Sequence, residues 1–254
     1  MGKKRWKLGQ KTALLMAVLM LEGSCLGAAA GMLRFGGREN GGWENRRGDY
    51  SARHQMAVYD AAAKANAESP GKVVALTFDD GPHETYTALL LDGLKERGVK
   101  ATFFLMGQSI EGKEELVRRM QQEGHLIGNH SYQHIQLTKA GEGTVCEAVE
   151  RTEEIIEGIT GERPRYLRPP YGDWNENLEC QLDMTTVFWS IDSLDWKLKN
   201  TEKIVENVEK KVRDGDIILM HDIFSTSVEA ALELVDRLEK KGYQFVTVEE
   251  LIIE

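Results

Sequence analysis

The run Lys72-Val-Val-Ala-Leu-Thr-Phe-Asp-Asp-Gly-Pro82 opens with Val73, Val74, Ala75, Leu76 and Phe78, the near-continuous apolar series expected of a parallel strand covered on both faces. Gly81-Pro82 then stops it. Two carboxylates stand where the buried strand meets the turn, and burial there is costly unless each acid has a cation, a proton or a metal as partner. Adjacent side chains within a strand point to opposite faces. At a strand end, however, the turn can bring Asp79 and Asp80 to one mouth, one binding a metal and the other handling a proton. Taken alone, Asp-Asp-Gly-Pro reads as an ordinary surface turn; the rest of the chain has to supply the partners.

Downstream the pattern becomes regular. Residues 73–78, 101–105, 126–129, 166–168, 185–189, 216–220 and 244–246 are short strand candidates, separated mostly by helical patterns. Thr226-Ser-Val-Glu229 reads as a capping box, after which Val228, Ala231, Leu232, Val235 and Leu238 keep helical spacing until Gly242. Ile204, Val205, Val208 and Val212 repeat that spacing, as do Leu89, Leu90 and Leu94; Val145, Val149, Ile155 and Ile156 follow it less regularly. About seven strands, each followed by a helix, make an α/β chain and predict a parallel (β/α) barrel, closed or nearly so, rather than an open sheet. In such barrels the chemistry sits where strands end and βα loops begin.

Upstream the character changes. The 254 residues have room for one α/β domain of about 180–200 residues and a leader. Net charge is −9, but residues 1–33 carry Lys3, Lys4, Arg5, Lys7 and Lys11 against Glu22 alone, so 34–254 carry −13. An acidic body of this kind argues against nucleic acid as a partner. The basic cluster followed by the mostly apolar 12–33 has the charge layout of a secretory signal or an inward-anchored membrane segment. Residues 12–21 match a signal-peptide core and Ala28-Ala29-Ala30 offers a cleavage site, while the whole stretch approaches the ~20 residues that span a bilayer. Cys25 suggests a lipoprotein, but Glu22 stands where such a motif requires an aliphatic residue. The domain division is therefore 1–33 signal or anchor, 34–70 tether with an Ala-rich flanking helix over 51–68, and 71–254 the globular domain. Cys146 and Cys180 could pair in an oxidising compartment, though two cysteines define no framework.

Partners for the two acids are found at the other strand ends. Gly128-Asn-His-Ser-Tyr-Gln-His134 follows the third strand, and on a helical turn its i, i+4 histidines share one face, a spacing that suits zinc or a similar ion. Arg168-Pro-Pro-Tyr-Gly172 follows the fourth, the prolines fixing the backbone so that Arg168 can point into the mouth and hold a carboxylate such as Asp79 ionised. Trp189-Ser-Ile-Asp192-Ser-Leu-Asp195-Trp196 brings two acids and two indoles into the next loop, with Trp196 placed as a sugar platform. Leu219-Met-His221-Asp222 puts a histidine where the sixth strand ends.

Thr77-Phe-Asp-Asp-Gly-Pro82, His130-Ser-Tyr-Gln-His134, Arg168-Pro-Pro-Tyr171, Asp192-Ser-Leu-Asp-Trp196 and Leu219-Met-His221 resemble, in order, the five motifs of the NodB-homology polysaccharide deacetylases (carbohydrate esterase family 4), over about residues 72–250. The resemblance implies a distorted (β/α) barrel. It also implies a divalent metal, usually zinc with cobalt, nickel or manganese as substitutes, on Asp80, His130 and His134. Asp79 becomes the general base and His221 the general acid, with Arg168 holding Asp79 and Asp195 tuning His221. The backbone N–H of Tyr171 faces the oxyanion, and Trp196 and Leu219 line the acetyl pocket. The implied partner is an acetylated polysaccharide outside the cytoplasm, reached from the membrane if the leader stays uncut, with no protein partner. N-acetylglucosamine in peptidoglycan comes first, chitin-type oligosaccharides second and O-acetyl xylan third. A non-catalytic glycan-binding relic is the alternative of a different class, disfavoured because the chain keeps Asp79 and all three ligands.

Overall fold

The computed structural model describes residues 71–253 apart from 176, 177 and 179–183. The leader, the tether, the helix expected over 51–68 and Cys180 lie outside the described residues, and no described helix is long and apolar enough to cross a membrane.

Strand β1 (Lys72–Asp79) is the centre of the sheet. Its residues Val74 to Phe78 are wholly buried, and every partner runs parallel to it: β2 (Thr102–Leu105) along Thr77 to Asp79, β7 (Asp216–His221) along Val74 to Asp79, and β8 (Tyr243–Val246) along Lys72 to Ala75. On one side the order continues through β3 (Leu126–Asn129) and β4 (Tyr166–Leu167) to β5 (Thr185–Thr186); on the other, β7 carries β6 (Ile191–Asp192). A flat sheet would hold β5 and β6 six inter-strand spacings apart, about 29 Å. Yet only residues 187–190 join them, which cannot reach beyond about 18 Å. The sheet therefore has to curl.

It does not close. The Val187 N–H still bonds to Leu167 on β4 (2.8 Å) and the Ser190 N–H already bonds to Ile217 on β7 (3.0 Å), so Phe188-Trp189 alone bridge an open seam. Among the described residues no ladder joins β5 to β6, so the barrel is left open at one seam; the expectation of about seven strands, each followed by a helix, is corrected at the same place by the connection itself. No helix separates β5 from β6, and β6 is an eighth, two-residue strand too short to show any period.

The helices cover the outer face. Leu90, Leu91 and Leu94 of α1 (Tyr86–Arg97) form one core with β1, β2 and β7. The same core takes Val117 and Met120 of α3 (Glu114–Gln122), which follows the one-turn α2 (Gly107–Ile110). Each buried Leu or Val contributes about 1.5–3 kcal/mol. The irregular apolar pattern of α4 (Glu142–Thr160) has a cause: Ile156 joins that core, whereas Val145 and Val149 join a second with Leu137, Leu167, Leu178 and Met184. Beyond the one-turn α5 (Asp195–Leu198), α6 (Thr201–Glu209) is capped by Asn200, whose Oδ1 accepts the Lys203 N–H at 3.0 Å. Helix α7 (Ser225–Glu239) buries the predicted face, but the capping box does not form. The helix starts two residues early, its N-cap is Phe224 rather than Thr226, and the Glu229 carboxylate accepts instead from the Thr201 hydroxyl on α6 (2.9 Å). Gly93 lets α1 and α7 meet, since a Cβ there would lie 2.4 Å from Leu232. Helix α8 (Val248–Ile253) follows β8.

Candidate active site

The carboxyl ends of β1 and β7 are neighbours in register, Asp79 opposite His221, so both side chains leave the sheet side by side. Asp79 is buried, and its Oδ1 accepts from Arg168 Nη1 at 2.8 Å. Arg168 is itself fully buried. The same Nη1 donates to Thr77 Oγ1 (2.7 Å), Nε to the Val187 carbonyl (3.3 Å) and Nη2 to the Phe188 carbonyl (3.1 Å). The guanidinium lies against the Phe104 ring, 4.2 Å from its centroid, with Trp189 further off at 5.7 Å. Arg168 thus does two jobs: it neutralises the carboxylate and fastens the seam.

Asp80 turns away from Asp79 because its backbone is left-handed (φ 74°). That sets its Oδ1 3.5 Å from His130 Nε2 and 3.6 Å from His134 Nε2. The two histidines meet, as expected, but no helical turn brings them together. The segment after β3 is a loop in which Ser131 (φ 61°) and His134 (φ 55°) take left-handed backbone, bent so that the rings sit 4.9 Å apart. Among the described residues five of the six non-glycine residues with positive φ lie in strand-exit segments, Asp80, Ser131, His134, Tyr171 and Leu194; the sixth, Lys199, caps the carboxyl end of α5. Each such position costs about 1–3 kcal/mol and persists only where its surroundings over-determine it.

This cluster suits a cation. One donor atom from each of Asp80, His130 and His134 lies within 4.8 Å of the others. Asp80 Oδ1 is buried without a hydrogen-bond partner among the described residues, a cost that an ion removes. His130 Nδ1 donates to the Arg168 carbonyl (2.7 Å), which leaves the Nε2 lone pair facing Asp80. Burial and the neighbouring His130 lower the pKa of His134 against the pull of Asp80, which favours the neutral imidazole that a metal ligand needs.

Across the mouth, His221 Nδ1 donates to Asp195 Oδ1 (2.8 Å), and Asp195 Oδ2 accepts the His221 backbone N–H (2.7 Å). Burial alone would disfavour the imidazolium. The hydrogen bond and charge of Asp195, aided by Asp79 and Asp80, outweigh it and raise the histidine to about 9. Nε2 then carries a proton 4.0 Å from Asp80 Oδ2.

The substrate-side residues are more scattered. Trp196 stands in α5 rather than in a loop, about half exposed, its backbone N–H donating to Asp195 Oδ1 (2.8 Å). Tyr171 is exposed and left-handed, its ring edge-on to His134 at 4.4 Å. Leu219 is buried on β7. Asp192 spends its carboxylate on the Leu194 N–H (2.8 Å), a local turn.

Three contributors carried no expectation. Thr77 accepts from Arg168 and donates to the Ile218 carbonyl (2.7 Å); standing two residues before Asp79, it shares that acid's face of the strand, a period-two signal. Asn129 pins the histidine loop by accepting the Ser131 N–H (2.8 Å) and donating to the Val149 carbonyl (2.9 Å). Asp222 accepts from the Thr87 hydroxyl, and burial pushes its carboxyl up to about 7. It also lies so close to Gly81 that a Cβ there would fall 2.4 Å from its Oδ1.

A buried carboxylate, a histidine held by aspartate and a set of metal donors converging on one open mouth is an arrangement that metal-assisted hydrolysis can use. A family model described as polysaccharide deacetylase matches residues 66–187. Peptidoglycan-N-acetylmuramic acid deacetylase PdaC of Bacillus subtilis is 43% identical over 180 residues, covering 71% of this chain and 38% of that protein. A peptidoglycan-N-acetylglucosamine deacetylase of Bacillus cereus is 36% identical over 189 residues, covering 71% of this chain and 88% of that one. The solved structure of peptidoglycan deacetylase PdaC from Bacillus subtilis matches with a TM-score of 0.70 at 43% identity, over 72% of this chain and 92% of the solved chain. The chain belongs to the polysaccharide deacetylase family. It spans about two fifths of the length of the first curated relatives it matches.

Proposed function

We propose that the chain is a metal-dependent hydrolase that removes acetyl groups from N-acetylglucosamine units of a cell-surface polysaccharide, peptidoglycan first. The observation that carries this reading is the pairing in register of a carboxylate held by arginine with a histidine held by aspartate, beside the Asp80, His130 and His134 cluster. A bound zinc would supply Lewis-acid polarisation of water and of the acetamide carbonyl. Arg168 occupies Asp79 Oδ1 and leaves Oδ2, 3.7 Å from His130 Nε2, to take the proton of the attacking water. The Tyr171 N–H stabilises the developing oxyanion. Asp195 fixes the His221 tautomer so that Nε2–H protonates the departing amine, and Trp196 and Leu219 flank the acetyl methyl. The basic cluster over 3–11 and the apolar 12–33 support export, with the domain from residue 71 outside and the leader either cut or retained as an anchor.

The decisive experiment compares acetate release by the zinc-loaded chain from N-acetylated peptidoglycan, chitin oligomers and acetyl xylan. Peptidoglycan is expected to lead; release from acetyl xylan alone would make the chain an esterase, and release from none would end the proposal. Chelation should abolish release, and zinc or cobalt should restore it, while far-UV circular dichroism barely changes, because three ligands at the mouth are not the core. Activity that survives thorough demetallation contradicts the mechanism.

A pH profile tests the acid. Because Asp195 raises His221, the imidazolium persists well above neutral pH and activity falls only as pH climbs through the raised value. Asp195→Asn removes the charge, so the alkaline limb should move down by about 1–3 pH units. A limb that stays put belongs to another group.

A further inference from the structure

We propose that Lys113 reads an anionic substituent on the sugar next to the one being deacetylated, an inference that rests on the hydrolase reading above. A cleft of about 660 Å³ is lined by Asp80 and His134 together with Glu84, Ser109 and Lys113, a volume typical of small-molecule sites. Of the cluster and the catalytic pair, only Asp80 and His134 line it. It therefore receives the polymer beside the reacting acetamide rather than the acetamide itself.

Lys113 is half-buried, just past α2 and the Gly112 turn (φ 74°). Its Nζ donates to the Ser109 carbonyl at 2.8 Å, with the Glu111 carbonyl at 3.5 Å. Those carbonyls fix the ammonium without neutralising it. Among the described residues no carboxylate lies within 4.0 Å of it, whereas Lys95, Lys210 and Lys241 each have a glutamate oxygen within 3.1 Å. Glu114, next in sequence, turns its carboxylate to the Gly112 N–H (3.1 Å) and meets the Lys113 charge only through space, as one of the minor influences that lower its pKa. An ammonium has three donors, so at least one remains for a ligand.

An unneutralised cation fixed in a cleft wall runs against the background of a chain that carries −13 over residues 34–254. An uncharged glycan gains little from it; a carboxylate gains an ion pair. Exposed Glu84 lines the same cleft and repels a carboxylate, which leaves Lys113 as the one cationic side chain among the lining residues with which such a group can pair. In a polymer of N-acetylated sugars the matching chemistry is a carboxylate on a lactyl ether, or on a peptide attached through it, of the flanking unit.

The test measures KM and kcat of the full zinc-loaded chain and of Lys113→Met and Lys113→Arg. The substrates are an uncharged N-acetylglucosamine tetramer, a muramic-acid-containing tetrasaccharide with free lactyl carboxylates, and the same glycan bearing peptides. Lys113→Met is expected to raise KM about fivefold, the scale of a solvent-accessible ion pair, on the muramoyl substrates only, with kcat unchanged and Lys113→Arg restoring it. A rise confined to one muramoyl arm assigns the carboxylate to the lactyl group or to the peptide. The same KM as wild type on every substrate overturns the proposal, and so does an equal rise on the uncharged tetramer, which would mean that the lysine only supports its turn. If the unmodified chain releases acetate from none of the three, the hydrolase reading falls and this inference with it.

Discussion

Replacing His221 with alanine is expected to slow acetate release from N-acetyl sugars by about 10²–10⁴-fold, the usual share of general acid catalysis. An amine cannot leave a tetrahedral intermediate as an anion, so the step waits for a proton, and the imidazolium on Asp195 is the group placed and poised to give it. An aryl ester needs no such help, because a weakly basic phenolate departs unaided. On nitrophenyl acetate the same variant should therefore lose far less, whereas Asp79→Ala should damage both reactions, water activation being common to them. Equal losses on amide and ester would make His221 a ligand, an oxyanion contact or a structural group, and the assignment of the acid would be wrong.

Arg168→Leu should be the most destabilising single change at the site. It strands Asp79, buried, without its counter-charge, which typically costs about 3–5 kcal/mol. It also removes the donors on which the Val187 and Phe188 carbonyls depend. For a domain of this size about 4 kcal/mol lowers Tm by roughly 10 °C, readable by calorimetry. Adding Asp79→Asn should return part of the loss, since no bare charge is then buried. A fall below about 1 kcal/mol would show that the seam is held by something other than this side chain.

How much of this was legible in the sequence depended on the length over which each signal repeats. β1, β2, β3, β7 and β8 carry runs of four to eight residues and were placed within a residue or two. β6, two residues long, offers nothing to count. The acids and histidines at strand ends were legible because buried charge needs partners, and those partners exist. The route by which His130 and His134 meet was not: i, i+4 spacing implies a helix, but the loop is set by Asn129 and by left-handed backbone at Ser131 and His134, features of tertiary packing. The Thr226–Glu229 pair matched a capping pattern in composition, yet Thr201, distant in sequence, claimed the carboxylate. Local patterns hold until a long-range partner outbids them.

The pairing of Asp79 with His221 through the β1–β7 ladder sets the distance between base and acid by sheet register, not by either exit loop. A slip of one residue would turn every side chain of β7 over, which a strand buried on both faces and bonded along its length does not permit. The mouth loops that carry neither Arg168 nor Asp195 are thus free to be exchanged, lengthened or re-charged without retuning the proton relay. A graft of foreign loops at 82–85 and 106–113, which leaves Asp195 and Arg168 in place, should yield a catalyst with altered taste in polymers and an unaltered acid–base spacing.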